Sequence, residues 1–206
     1  MRVSAVRSVR RSALFAWSSF SSFLAYIPAV PITIELPDLE FQTEFNLARW
    51  AEILADPTLA KLPHRIETDQ HGHILMSPPP APIHGRRQAH ISGLLRQFLP
   101  NGIAFSECPL STAGGVKAVD VAWLSPERSE DISRLTLFER APEICVEIVS
   151  SSNSRSEINE KRALYFDAGA AEVWICNLEG HISFFVAPHN QLPASFICPT
   201  FPISIP

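Results

Sequence analysis

Two carboxylates stand in stretches that otherwise read as apolar β-strands: Asp120 in KAVDVAWL and Glu147 in EICVEIVS. Side chains alternate along a strand, so Val119, Val121 and Trp123 are expected on one face, with Ala118, Asp120, Ala122 and Leu124 on the other. The small alanines leave room around Asp120. In the second run Ile144, Val146 and Ile148 alternate with Cys145, Glu147 and Val149, which makes both faces apolar, as in a central strand covered on both sides. A carboxylate there is costly to ionise unless a cation or strong donors meet it. Projecting from two strands into one crevice, Asp120 and Glu147 would offer hard oxygen ligands to a divalent cation such as Mg²⁺. Lys161 follows on a helix, one turn from Glu157 and one turn from Tyr165, where it could orient a water or counter charge on a phosphate. Asp, Glu and Lys around one ion suit phosphodiester cleavage. The plainer alternatives stay open: a hydrogen-bonded strand-end Asp, and a Lys solvated on a capped helix.

The elements that must position these groups follow from periodicity and punctuation. SRSEINEKRALYFDAG reads as a helix with a capping box, Ser154 with Glu157, and a stop at Gly169. The short SSSNS connector folds that helix back onto the sheet. IAFSECPL, AAEVWICNL and HISFFVA supply further strands, and STAGGVK reads as a hairpin turn, since it lacks the spacing and terminal Lys-Ser/Thr of a phosphate-binding loop. Upstream, EFNLARWAEIL has apolar residues close to helical spacing before DPTLAKLP breaks it. RIETDQHGHILMS predicts two short strands around His71 and Gly72, and the prolines from Pro78 to Pro82 bar regular structure before the next element. HGRRQAHISGLLRQFL then predicts an amphipathic helix with Ile91, Leu94, Leu95 and Phe98 inward and Arg86, Arg87, Gln88 and Arg96 opposite. The expected class is α/β (α+β), a mixed central sheet flanked by helices.

Composition narrows the partners. The 206 residues carry a net charge of −4 with 18 % charged residues, so no basic excess advertises nucleic-acid binding and any such role must come from a local site. Cys108, Cys145, Cys176 and Cys198 form no metal-ligand spacing and read as core thiols of a reducing compartment. The histidines lack the i, i+4 pairing of a zinc helix and are assigned to turns or surface. Trp50, Trp123, Trp174, Tyr165 and Phe166 are assigned to packing. Arg2, Arg7, Arg10 and Arg11 precede ALFAWSSFSSFLAYIPAV, and no acid appears before Glu35. That segment resembles a targeting signal but is too short and too serine-rich for a convincing membrane span. Residues 1–40 are therefore expected to be an atypical extension, targeting-like or disordered, and residues 41–206 the folded domain. A cytoplasmic location is expected, with export the alternative if the segment is a genuine signal.

Four segments, taken in order, carry a resemblance: RIETDQHGHILMSPPP, HGRRQAHISGLL, VKAVDVAWLSPER and APEICVEIVSSSNSRSEINEKRALYFDAGAAEVWICNLEG. Over residues 44–187 they resemble the Uma-two family, restriction-endonuclease-like proteins of the PD-(D/E)XK nuclease superfamily. The last segment is the most specific, with its acidic strand, K-x-x-x-Y helix, glycine and aromatic strand. The resemblance implies a restriction-endonuclease-like core in which Asp120, Glu147 and Lys161 are catalytic and Asp120 and Glu147 bind Mg²⁺ or Mn²⁺. It also departs from the superfamily pattern, since Val119 replaces the proline and Val149 the usual lysine, so the basic role passes to Lys161. Glu67 matches an acidic position and Gln88 lies on the helix over the crevice. Either could complete the site, the alternatives being a surface ion pair with Arg65 and a solvated helix face. The implied activity is metal-dependent hydrolysis of DNA phosphodiester bonds, the alternative a catalytically degenerate nuclease-fold binding or regulatory protein. Cutting both strands needs two sites or two events, which makes a homodimer plausible.

Overall fold

The computed structural model describes residues 39–129 and 135–206, so the expectations for residues 1–38 lie outside the described residues. The first helix, α1 (Leu39–Ala55), begins well before the apolar pattern that predicted it. A ribbon follows, β1 (Arg65–Thr68) and β2 (Ile74–Ser77), antiparallel and separate from the main sheet. Its turn closes at Gly72, whose φ of 77° is a left-handed value that glycine adopts without strain.

Helix α2 (Pro82–Phe98) starts on the last proline of the cluster. That corrects the expectation that all four prolines precede the element: Pro82 takes the first helical position, where a missing N–H costs nothing. The main sheet then forms from β3 (Ile103–Thr112), β4 (Gly115–Leu124), β5 (Ile144–Ile148), β6 (Glu172–Cys176), β7 (Ile182–Ala187) and β8 (Asn190–Leu192), in that spatial order. All neighbours are antiparallel except β5 and β6, which run parallel through helix α3 (Arg155–Asp167). Ser154 Oγ accepts the Glu157 N–H as the helix cap, and Gly169 (φ 97°) ends the helix, as predicted. The Glu157 side chain does not close the box; it accepts from Asn153 Nδ2 instead.

The helices cover opposite faces of the sheet. Ile91 and Leu95 of α2 pack with Val121, Trp123, Val146 and Trp174, whereas Tyr165 of α3 and Ala168 just after it pack with Ala122, Cys145 and Val173. Ile91 and Leu95 are fully buried, which stabilises the layer by roughly 1.5–3 kcal/mol each. A third cluster joins α1 to the sheet through Trp50, Ile53 and Val116. The expected alternation in β4 slips at one point: Val119 packs with Cys108 and Tyr165, away from Val121 and Trp123. The slip falls at Asp120, which lies opposite Glu107, a non-glycine residue with φ of 55°. Two neighbouring strands thus change face where the acidic residue emerges.

Two further differences from the sequence reading concern polar residues. Arg87 and Gln88 are buried, not solvated. Arg87 donates to the carbonyls of Asn177 and Leu178, tying α2 to the turn before β7. Strand β8 and the segment after it were not anticipated; the buried Glu172 holds that segment by accepting the N–H groups of Phe196 and Ile197 and the Ser195 hydroxyl. The four cysteines are buried free thiols. Among the described residues no helix is long and apolar enough to cross a membrane.

Candidate active site

Pairing between β4 and β5 runs from Trp123↔Ile144 to Val121↔Val146 and stops there. Asp120 is the next residue on one strand and Glu147 the next on the other. In place of a further ladder bond, Asp120 Oδ2 accepts the Ile148 N–H at 2.7 Å. The strands part, and a cleft of about 400 Å³ opens at the split, bounded by the β1–β2 ribbon, the proline run before α2 and the serine loop before α3. Asp120, Glu147, Lys161 and Glu67 all line it.

Each acid is held by named partners. Asp120, only 1 % exposed, accepts Arg65 Nη1 on Oδ1 at 2.6 Å, and on Oδ2 the Ile148 N–H and His84 Nε2, the latter at 3.2 Å. Glu147 accepts the Tyr165 hydroxyl on Oε1 at 2.6 Å and Lys161 Nζ on Oε2 at 3.3 Å. Lys161 Nζ also donates to Glu67 Oε1 at 2.8 Å, and Glu67 in turn takes the Ala118 N–H. Glu67 therefore bridges the ribbon, β4 and α3. The Lys161 spacing explains this convergence: one turn separates it from Tyr165 on α3, so both reach the same Glu147 carboxylate from one helix face.

Electrostatics divide the two strand acids. Burial opposes ionisation of Asp120, but the His84 hydrogen bond and the Arg65 charge pull its pKa below the usual carboxylate value. Burial pushes the Glu147 carboxyl up to about 7, with Asp120 adding to the rise and Lys161, Arg65 and Tyr165 opposing it. Burial likewise works against the Lys161 charge, yet Glu147 and Glu67 raise its pKa above the ordinary lysine value. Lys161 is thus a fixed cation, not a base. Glu67 is held ionised by Lys161 and Arg65 against its own desolvation.

Gln88 donates to the Asp120 carbonyl at 3.2 Å and to the Glu107 carboxylate. It supports the cleft from behind and does not line it. Three residues at the site escaped the sequence reading. The sequence presents Arg65 only as a surface partner of Glu67, His84 as a turn or surface residue, and Tyr165 as a packing residue. The K-x-x-x-Y spacing carried the signal for Tyr165; nothing in the local sequence distinguished His84 or Arg65.

Hard oxygen donors from Asp120 and Glu147 fit a small divalent cation, which commonly takes one or two carboxylates and fills its remaining positions with water and substrate oxygens. Among the described residues no three His, Cys, Asp or Glu side chains form a group that could hold a metal ion. Glu147 Oε2 has Lys161 as its partner and Asp120 Oδ1 has Arg65, so both acids meet cations supplied by the chain itself.

Comparison with known proteins agrees with this architecture. Residues 51–193 match the family Uma2, described as "Putative restriction endonuclease". A solved structure described as "a putative nuclease belonging to DUF820", from Anabaena variabilis ATCC 29413, superposes with a TM-score of 0.57 at 17 % identity, covering 75 % of this chain and 93 % of that one. No curated protein matches the chain.

Proposed function

The chain belongs to the Uma2 family of restriction-endonuclease-like proteins, and from that premise we propose that it is a divalent-metal-dependent endonuclease hydrolysing DNA phosphodiester bonds. The observation that carries the proposal is the meeting of Asp120, Glu147 and Lys161 in one cleft where β4 and β5 split.

Asp120 and Glu147 would hold Mg²⁺ or Mn²⁺. When bound, such an ion would supply Lewis acidity toward a phosphate oxygen and lower the pKa of a bound water. The chain's own contribution is positional and electrostatic. Tyr165 fixes one Glu147 oxygen, leaving the other to face the cleft with Lys161. Lys161, kept charged between Glu147 and Glu67, would stabilise negative charge developing on the phosphate and orient the attacking water. Asp120 is aimed by three donors and cannot rotate without breaking the Ile148 bond. The proline run Pro78–Pro80 on one rim and Ser150–Ser152 on the other would flank a strand laid over the cleft.

The test is nicking of supercoiled DNA by the full chain with Mg²⁺, Mn²⁺ or EDTA, beside Glu147→Ala and Asp120→Asn. Cleavage that needs metal and both acids supports the assignment. Cleavage that survives both substitutions sinks it, and metal binding without cleavage of any DNA or RNA would favour the degenerate binding protein.

A further inference from the structure

Arg65 sits where a metal ligand set would have to close. Its Nη1 lies 2.6 Å from Asp120 Oδ1, and the other Asp120 oxygen is already committed to Ile148 and His84. A small divalent cation binds a carboxylate oxygen at about 2.1 Å. An ion on Asp120 Oδ1 would therefore share one buried oxygen with the guanidinium, placing two like charges side by side. One of them must move.

The guanidinium is built to move. Only Nη1 is hydrogen-bonded; Nε and Nη2 are buried without hydrogen-bond partners, facing Glu107 and Glu67 at 3.4 Å each. Its one hydrogen bond is the one to Asp120, whereas the contacts to Glu107 and Glu67 are ion pairs that it can keep on leaving Asp120. Arg65 also lines a second, more apolar cavity of about 280 Å³, walled by Trp50, Pro109 and Glu107 among others. Glu107 is thus an alternative anion on the far side of the same side chain. Its φ of 55° is uncommon for a residue with a side chain, and its carboxylate is steadied by Gln88.

We propose that Arg65 is an exchangeable counter-ion of the acidic cleft: it neutralises Asp120 while the site is metal-free and swings to Glu107 when a divalent cation takes Asp120. Gln88 is then a positioning residue for the second berth. This rests on the metal-dependent reading above, and the experiment separates the two.

Mn²⁺ is titrated calorimetrically into the full chain and into Arg65→Met, Glu107→Gln, the Arg65→Met/Glu107→Gln double variant and Asp120→Asn. Arg65→Met should bind Mn²⁺ more tightly, roughly ten-fold if the open position is populated about one time in ten. Glu107→Gln should weaken binding several-fold, and this effect should vanish in the double variant, because Glu107 acts through Arg65. Unchanged or weaker binding by Arg65→Met, in a wild type that binds Mn²⁺ when Asp120→Asn does not, makes Arg65 a permanent partner and overturns the proposal. No binding by either wild type or Arg65→Met above the Asp120→Asn level ends the metal-dependent reading and the exchange with it. Should Arg65→Met fail to fold, the Arg65 Nε–H resonance of the wild type is followed during Mg²⁺ addition. A shift with faster hydrogen exchange supports the swing, and an unchanged signal at saturating Mg²⁺ overturns it.

Discussion

The Asp120 carboxylate accepts the Ile148 backbone N–H at 2.7 Å, so a side chain on β4 completes the hydrogen bonding of β5 where strand pairing has ended. One group therefore serves the sheet and the cleft at once. Asp120→Ala leaves the Ile148 N–H without its acceptor and Arg65 with only its 3.4 Å ion pairs to Glu67 and Glu107, which should cost about 1–3 kcal/mol. Asp120→Asn keeps an acceptor for Ile148 and should lose less stability while abolishing cleavage. Urea unfolding read beside DNA nicking checks both halves.

Tyr165→Phe removes the hydroxyl that fixes Glu147 Oε1. Loss of this hydrogen bond to a buried charged group should cost about 1.5–3 kcal/mol. Cleavage should persist but require more metal, because Glu147 is no longer aimed. The metal-concentration dependence of nicking, measured with an unfolding curve, tests this; an unchanged metal requirement would mean that Tyr165 only packs.

Lys161→Met withdraws the cation shared by Glu147 and Glu67. A donor aimed at developing charge is typically worth about 10²–10³ in kcat, so turnover should fall by that order while DNA affinity changes little. Lys161→Arg keeps the charge but not the compact ammonium, and should recover only part of the rate. Single-turnover cleavage separates the effect on chemistry from that on binding.

The pH dependence of metal-free stability should carry the mark of Glu147. Its folded pKa, raised to about 7 chiefly by burial, exceeds the ordinary glutamate value of 4.5. The folded state thus binds more protons between these values, and its stability must fall as pH rises through them. His84, raised by its bond to Asp120, adds loss in the same direction at higher pH. Asp120 and Glu67, whose folded pKa values are lowered, act only in acid and with the opposite slope. Denaturant unfolding in EDTA at pH 5, 6 and 7 should show a decline that Glu147→Gln reduces, most clearly between pH 5 and 6, leaving the part that His84 carries.

Glu172 offers a control away from the cleft. It collects donors from Trp174, Ser195, Phe196 and Ile197. Glu172→Gln would turn an amide N–H toward groups that are themselves donors, at a cost of roughly 2–3 kcal/mol. Melting temperature and proteolysis of the last segment should change, whereas any cleavage activity of the remaining folded protein should not.

What the sequence made legible was whatever declared itself through period or punctuation. Alternation placed Asp120 and Glu147 on strands, and a cap and a glycine bounded α3, which was enough to bring Lys161 to the same cleft. The family resemblance added Glu67, which the structure joins to Lys161, and Gln88, which it places behind Asp120. Arg65 and His84 were illegible because they reach Asp120 across the fold, from a short ribbon and from the first turn of α2. No local pattern reports such a partner. The slip of face at Asp120 was hidden for a related reason, since it arises opposite the φ of Glu107 on the neighbouring strand.

The β1–β2 ribbon lies outside the main sheet, yet it delivers Arg65 and Glu67. It meets β4 through three polar bonds, Val116 N–H to Thr68 Oγ1, Lys117 Nζ to the Thr68 carbonyl and Ala118 N–H to Glu67, and through Ile66 and Ile74, which pack half-buried on the small cluster of Trp50, Ile53 and Val116. A piece attached in this way can come loose without unfolding the sheet, as a separate cooperative unit with its own opening free energy. The amides of residues 65–77 should then exchange with solvent well before those of β4 and β5. Each such opening would carry two of the cleft's charges away together, so the lifetime of the assembled site is set by the docking of a four-residue strand.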